Sequence, residues 1–293
     1  MDAEDTPVPR REIYDARNKD SLPGTLVRSE GEDAGTDELV DGVYDALGTT
    51  FDFFLTAYGR NSLDGQGGTL RATVHYREKF MNVFWEDGRL VLGDGDGEIF
   101  QLRPRDLLDV VAADVSRQIL NPQLGYFHQS GALSESVCDV FASLVKQYAL
   151  GQSTDQADWL LGAGMLSPSL KAKALRSLAA PGTAYDDTRL GKDLQPAHMD
   201  RYVELPLHRD NGGVHINSGI PNRAFHLVAT AIGGNAWERA GRIWYDAATG
   251  GKLSAEATFA DFAELTATVA EDLYGTGKEL DAVNSAWKTV GVR

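Results

Sequence analysis

Apolar positions in the first third of the chain follow two different periods. In residues 36–58 they return every three or four positions, which predicts one amphipathic helix. In residues 70–76 they alternate with polar residues, as in a strand that buries one face. Two more apolar runs, at 84–85 and 90–92, flank Asp87 and Gly88, a dipeptide that favours a two-residue hairpin turn. This part of the chain is therefore predicted to combine a helix with a sheet.

The later pattern is mainly helical. Apolar residues recur at helical spacing in residues 108–120, 133–150, 259–274 and 280–290. No internal repeat or low-complexity tract interrupts them. A β-rich first half followed by a helical second half indicates the α+β class. The first 35 residues are polar and rich in turn residues, and we expect them to form an extended or surface-draped segment.

The composition and net charge of the chain limit the kinds of molecule it is expected to bind. The 293 residues carry a net charge of −15, with 42% hydrophobic and 24% charged residues. Such an acidic surface disfavours nucleic acid and anionic membranes, and no apolar run is long enough to span a membrane. The single cysteine, Cys138, excludes an intramolecular disulfide. The acidic start lacks the apolar core of a signal peptide, so a cytoplasmic location is possible, although a leader removed earlier would look the same.

One acidic glycine-rich stretch invites a metal interpretation. Residues 93–98 read GDGDGE, which superficially resembles a calcium-binding loop. The glycine and distal glutamate spacing of an EF-hand is missing. We therefore expect a turn here, followed by a short strand at Ile99 and Phe100.

The helix predicted at residues 108–120 reads LDVVAADVSRQIL. Its flanks resemble the zinc-binding helix of thermolysin-like neutral metallopeptidases, in which D-V-V-x-H-E-x-x-H carries two zinc ligands and a general base. Other strings resemble the same family in order, and most closely its protealysin-like branch: REIYDA, YGRNSLD, TVHY, NVFW, GDGDG, SGALSES, ALRSL, APGTAYDD, DNGGVHINSGIPNRAF and DLYG. The resemblance begins at Ile13 and covers nearly all of the remaining chain. It implies a two-lobed fold, with an extended segment at 1–35, a β-rich lobe at 36–121 that ends in the central helix, and an α-helical lobe at 122–293.

At the reaction centre the chain departs from the family. The positions of the two histidine ligands and the base are held by Ala113, Arg117 and Asp114, and neither Ala nor Arg can donate a lone pair to zinc. Only the third ligand position, Glu135, is retained. We therefore predict that zinc binding is lost and that Arg117 pairs with Glu135 in place of the metal.

Neighbouring carboxylates are affected by the same loss. Asp139 matches the residue that orients the first histidine, and with Ala113 present we expect it to keep its charge without a partner. Asp114, Glu135 and Asp139 would crowd one pocket, so one of them is expected to have a raised pKa.

The resemblance also assigns residues around the missing metal. Asn82 matches a side chain that binds substrate backbone, Tyr126 and His215 match a pair that stabilises the oxyanion, and Asp210 matches the carboxylate that orients that histidine. Arg176 matches an arginine that binds a substrate carbonyl. Each has a second interpretation. His215 and Asp210 can serve loop packing, and Arg176 can be a counter-ion for buried carboxylates.

The family's paired calcium site is also altered. Asp109 and Asp158 match calcium ligands, whereas Lys146, Leu160 and Ala163 stand where further carboxylates are expected. Calcium needs six to eight oxygen ligands, and an ammonium group among them repels the ion. We predict no calcium here, with Lys146 neutralising Asp109 or Asp158 instead.

These observations lead to one interpretation and two alternatives. We interpret the chain as an inactive member of the family, without metal cofactor, that binds a peptide or protein in a retained cleft. The first alternative is an active metalloendopeptidase with an atypical metal site, and the second is a purely structural or regulatory partner, for instance of an active paralogue. The other histidines show no H-x-x-x-H spacing, and Cys138 has no evident activating base, so neither supplies a replacement centre: His75, His128, His198, His208 and His226.

Overall fold

A computed structural model of the chain describes residues 6–103, 106–120 and 123–293. In the N-terminal lobe these residues form one mixed sheet with strands β1 (Arg11–Asp15), β2 (Thr25–Ser29), β3 (Leu70–Val74), β4 (Val83–Glu86) and β5 (Arg89–Leu92). The strand order is β2-β1-β3-β5-β4, with β1, β3 and β5 parallel and the two outer strands antiparallel to their neighbours. Strand β4 is thus an edge of the sheet, and this edge faces the cleft described below.

Much of the N-terminal segment is extended, as one of the two expectations had it, but its strands belong to the sheet and are not draped over the surface. Strand β1 lies inside the sheet and pairs with β2 on one side and β3 on the other. Ile13 is fully buried, whereas the polar residues around it are only half-buried. A strand that buries one apolar side chain among polar neighbours has too weak an alternation to stand out in the sequence.

The predicted hairpin is confirmed. Strands β4 and β5 pair from Val83 and Leu92 to Glu86 and Arg89 around the turn at Asp87 and Gly88. Both turn residues have positive φ, 47° and 73°, which matches the twist of a two-residue hairpin.

The first helix is also confirmed. Helix α1 (Glu38–Tyr58) begins at Asp37, whose side chain accepts the backbone N–H groups of Leu39 and Val40. It ends at Gly59, which takes the left-handed conformation at φ 69°. Its apolar face, including Phe53 and Phe54, is buried in the main core.

Helices dominate the rest of the described chain, as predicted. Helix α2 (Leu108–Leu120) packs against α1 and against α3 (His128–Leu150). The later helices are α4 (Asp210–Asn217), α5 (Gly219–Ile232), α6 (Ala240–Thr249), α7 (Phe259–Tyr274) and α8 (Lys278–Thr289), with two-residue strands β6 (Leu160–Leu161), β7 (Arg176–Ser177), β8 (Asp186–Asp187) and β9 (Gly191–Lys192). Stacked Trp244 and Trp287, 6.2 Å apart, anchor the core of the helical lobe. The molecule is α+β with a β-rich and a helical lobe, and α2 joins them.

The acidic loop at 93–98 is held in its turn by the side chain of one residue. Asp96 Oδ1 accepts the backbone N–H groups of Glu98, Ile99 and Phe100 at 3.0, 2.8 and 2.9 Å. The carboxylate thus holds the turn from within, as expected for a loop rather than a calcium site. The strand predicted after it is reduced to one isolated bridge between Phe100 and Leu166.

None of the helices in the described ranges combines the length and apolar character that a membrane span requires.

Candidate functional site

A cleft of about 700 Å³ opens between the lobes, and α2 forms its floor. Ala113, Asp114 and Arg117 all line it. Residues 113 and 117 are four apart on one helix, so they share a face. The substituted motif positions therefore lie where the sequence predicts, at the centre of the cleft.

Arg117 pairs with Glu135 as predicted. Its Nη2 lies 2.9 Å from Glu135 Oε1, and Nη1 donates to Ser134 Oγ at 3.4 Å. The guanidinium carbon also lies 5.5 Å from the Tyr126 ring centre. The carboxylate side chain is only 4% exposed and the guanidinium 27% exposed, so this ion pair between α2 and α3 is largely shielded from water.

Asp139 has a partner, contrary to expectation. Arg176 clamps it with two hydrogen bonds, Nε to Oδ2 at 2.8 Å and Nη2 to Oδ1 at 2.7 Å. Asn222 Nδ2 donates to Oδ2 at 2.9 Å. With no histidine at position 113, the buried carboxylate is neutralised by Arg176, which supports the counter-ion interpretation of that arginine. Asn222 was missed in the sequence, although it lies within the family-like string that contains NRAF.

Tyr126, His215 and Asp210 form one chain of polar contacts. The Tyr126 hydroxyl donates to Glu135 Oε1 and lies 3.2 Å from His215 Nε2. Asp210 Oδ1 lies 2.5 Å from His215 Nδ1, and its Oδ2 accepts the His215 backbone N–H at 3.1 Å. The imidazole is therefore held in one orientation with its Nε2 turned toward the cleft.

A tight backbone turn sets this orientation. Residues 210–213 all have positive φ, from 45° to 89°. At Gly212 a Cβ atom would come within 2.3 Å of the His128 ring, so only glycine fits there. The turn brings Asp210 back against His215, and this packing requirement accounts for the DNGG sequence.

The surroundings shift the pKa values of Asp114 and Glu135 in opposite directions. Burial raises the pKa of Asp114 to about 7, an effect that Glu135 reinforces and Arg117 opposes. Burial also acts to raise the pKa of Glu135, but Arg117, His215 and the Tyr126 hydroxyl outweigh it and hold that pKa below its usual value. The crowded carboxylates were expected to include one with a raised pKa. That residue is Asp114, and burial is the main cause of its raised pKa.

Cys138, on α3, lines the same cleft and is buried. Burial raises the pKa of its thiol to about 12, so the thiol is protonated at neutral pH. A thiol in this state is a poor nucleophile.

Asn82 stands at the rim, just before edge strand β4. Its side chain is exposed, and its Oδ1 accepts the backbone N–H of Val83 at 2.9 Å. Val83, Phe84 and Trp85 follow along the cleft wall. In the described sheet β4 pairs only with β5, so its outer backbone groups are available to a bound chain.

Comparison with known proteins agrees with this geometry. Residues 2–120 match the family model "Thermolysin metallopeptidase, catalytic domain", and residues 122–292 match "Thermolysin metallopeptidase, alpha-helical domain". The chain belongs to the thermolysin family of metallopeptidases.

Relatives place it near the protealysin branch of that family. It is 50% identical to an extracellular metalloprotease of Pectobacterium carotovorum, covering 96% of this chain and 81% of that protein. It is 46% identical to protease PrtS of a Photorhabdus strain, covering 97% and 76%. The solved structure of the precursor of protealysin, a metalloproteinase from Serratia proteamaculans, superposes with a TM-score of 0.94 at 50% identity, covering 100% of this chain and 91% of that one.

The donor set of this thermolysin-family member does not fit zinc. Ala113 offers no lone pair, and a guanidinium nitrogen of Arg117 lies within 2.9 Å of the one retained ligand position, Glu135. Within the described ranges no group of three or more His, Cys, Asp or Glu side chains is arranged to hold a metal ion. His75, His128, His198, His208 and His226 do not assemble into such a group.

The family's calcium position holds a lysine instead of an acidic cluster. Lys146 Nζ lies 3.0 and 2.8 Å from the two carboxylate oxygens of Asp158 and donates to the Leu160 carbonyl at 3.1 Å. Asp109 is buried and accepts the Gly162 N–H at 2.8 Å. The predicted neutralisation by lysine is confirmed for Asp158, whereas Asp109 is held mainly by the backbone.

Proposed function

We propose that this chain is a catalytically inactive thermolysin-family protein that binds a peptide or protein in its cleft. The observation that carries the proposal is the 2.9 Å contact between Arg117 Nη2 and Glu135 Oε1. Zinc hydrolysis needs about three protein ligands and a metal-activated water. One ligand position paired to a permanent cation supplies neither.

Ligand binding is supported by what remains around the pair. Asn82, the free edge of β4 and the oriented His215 surround the cleft. An extended peptide laid along β4 would gain backbone hydrogen bonds there without any metal. Arg176 has its Nε and Nη2 committed to Asp139, which leaves its Nη1 for a ligand carbonyl.

The competing function is an active metalloendopeptidase with an atypical metal site. Its support is that the relatives are named as proteases. Against it stands chemistry at three positions. Ala113 cannot bind a metal, Arg117 repels one, and the Asp114 side chain is one methylene shorter than the family's base.

Metal content and peptide cleavage separate the two functions. The purified chain should carry no stoichiometric zinc by mass spectrometry and should not cleave a quenched fluorescent peptide, with or without added zinc. The triple variant Ala113→His/Asp114→Glu/Arg117→His should bind about one zinc per chain and gain chelator-sensitive cleavage, because the remaining polar groups are in place. The matched double variant Ala113→His/Asp114→Glu, which keeps Arg117, should remain metal-free. Stoichiometric zinc with chelator-sensitive cleavage in the native chain would overturn the proposal.

Binding by the cleft requires its own test. A peptide library displayed on phage should yield ligands for the native chain, and Asn82→Ala should weaken them about 10-fold through the lost side-chain contact. Arg176→Ala is a poor control because it leaves Asp139 buried and uncompensated, so Arg176→Lys is preferred. Ligands that bind native and Asn82→Ala protein equally would place binding outside the cleft.

A further inference from the structure

A second depression lies in the helical lobe, lined by residues other than those of the cleft. Residues 170–173 form one wall and residues 182–192 the other, enclosing an open groove of about 1200 Å³. The two walls are joined by an antiparallel bridge between Ala172 and Tyr185. The groove and the cleft share no lining residue.

Lysines concentrate at this groove. Lys171, Lys173 and Lys192 line it, three of the nine lysines in a chain whose net charge is −15. All three are exposed. Within the described ranges none of the three ammonium groups has a carboxylate within 4.0 Å or a side-chain hydrogen bond, whereas Lys146 is paired with Asp158. Their charge is therefore available to a partner.

The carboxylates of the groove offset this charge only in part. Asp187 is buried, accepts the backbone N–H groups of Lys171 and Arg189, and lies 3.5 Å from Arg189 Nε. Asp186 is exposed and lies opposite Lys192 in the short β8–β9 ladder. The surface is thus three ammonium groups around a single open carboxylate.

The floor between the lysines is apolar. Leu170 and Ala184 are buried there, and Tyr185 is half-buried. Gly191, at the end of the groove, has a positive φ of 83°. A Cβ atom built on it would have no other atom within 4 Å, so the groove is open at this end. A chain of extended backbone with occasional apolar side chains would fit such a surface.

We propose that this groove binds an extended acidic segment of a partner protein. The net charge of the molecule repels an acidic chain, so the lysine groove is a surface whose local field favours such a segment. A long nucleic acid is disfavoured because its phosphates would continue past the groove onto the acidic surface. The groove is separate from the cleft, so the proposal does not depend on the function assigned to the cleft.

Fluorescence anisotropy with defined probes tests the proposal. The probe is a fluorescein-labelled dodecapeptide of four Glu-Glu-Leu repeats, with a Gln-Gln-Leu version and a single-stranded DNA 20-mer as comparisons. Native protein should bind the Glu peptide at least about 10-fold more tightly than either, and binding should weaken as salt rises. Lys171→Glu/Lys173→Glu should reduce affinity about 10-fold or more, whereas Asp186→Asn should increase it about 3-fold.

The matched control is Lys252→Glu/Lys288→Glu, which makes the same charge change at exposed lysines outside the groove. It should alter affinity less than about 2-fold. Equal weakening by both lysine pairs, equal binding of the Gln peptide, tighter binding of DNA, or no saturable binding of the Glu peptide would each overturn the proposal. Circular dichroism of every variant verifies that the exposed substitutions leave the fold intact.

Discussion

Arg117 acts as the counter-charge of a buried carboxylate in the cleft between the lobes. Glu135 is almost completely buried, and an isolated buried carboxylate costs several kcal/mol of folding free energy. In this chain the Arg117 guanidinium meets that charge at 2.9 Å. Arg117 therefore supplies the positive charge that stabilises buried Glu135, and on the proposed function it also opposes metal binding.

Arg117→Leu should lower the free energy of unfolding by about 3 kcal/mol, because it leaves Glu135 buried and without its main counter-charge. Urea unfolding followed by tryptophan fluorescence measures the change. Arg117→Leu/Glu135→Gln removes both charges and keeps an acceptor for Tyr126, so it should recover most of the loss. If the double variant is no more stable than the single one, the pair does not have this role.

Asp114 predicts a dependence of stability on pH. Burial raises its pKa from 3.8 to about 7, so the unfolded chain ionises at lower pH than the folded one. The group therefore increasingly destabilises the folded state as pH rises from about 4 to about 7, and the effect is constant above that range. Asp114→Asn should accordingly be more stable than the native chain at pH 8 by about 2 kcal/mol and nearly equal to it at pH 4. Urea midpoints at both pH values report this difference, and a difference independent of pH would contradict it.

At the scale of elements, His75 joins the start of a helix to a distant loop. It lies just after β3, with Nε2 2.9 Å from Asp37 and Nδ1 2.7 Å from Asp94. Asp37 also caps α1. One imidazole thus ties the sheet, the α1 N-terminus and the loop after β5 into one unit.

This tie should weaken in alkali. The hydrogen bond to Asp94, against the opposing effect of burial and with further help from Asp37, raises the pKa of His75 from 6.5 to about 9. Its stabilising contribution is therefore complete below about pH 6.5 and is lost as pH rises through about 9. His75→Gln should be less stable than the native chain by about 2 kcal/mol at pH 6 and close to it at pH 10. Thermal melts at the two pH values test this, and parallel curves for the two proteins would refute it.

The sequence predicted those features whose signal lies within a short stretch of the chain, and it did not predict contacts between residues far apart in sequence. Helix α1 and the β4–β5 hairpin follow from periodicity and a turn dipeptide, and both formed within about two residues of expectation. Strand β1 was not predicted because a single buried side chain, Ile13, gives no recognisable alternation of apolar and polar residues. The Arg176–Asp139 clamp joins residues 37 apart in sequence, and no local spacing reports such a contact. The Arg117–Glu135 pair was predictable only because the family resemblance placed both residues around one ion.

Across the whole molecule, two side-chain cations stand at positions where the family resemblance implies metal ions. Arg117 meets Glu135 in the cleft, and Lys146 meets Asp158 about three turns further along α3. A protein that binds no metal in its folded state gains no stability from metal in solution. The thermal midpoint of the native chain should therefore change by less than about 1 °C when EDTA or calcium is added. The zinc-restored triple variant is the control and should lose several degrees in EDTA, while an EDTA-sensitive native chain would contradict the argument.

The Arg117–Glu135 contact also constrains how a zinc site could be built at these positions. Replacing Ala113 by histidine alone would place a ligand beside a permanent cation, with no gain in zinc affinity. Replacing Arg117 by histidine alone would expose Glu135 to the cost of an uncompensated buried charge before a metal site is complete. Each single substitution thus leaves zinc affinity unchanged or lowers stability. Only several simultaneous substitutions would create a zinc site. On the proposed metal-free function, the Arg117–Glu135 pair is therefore a barrier that no single substitution at positions 113 and 117 removes.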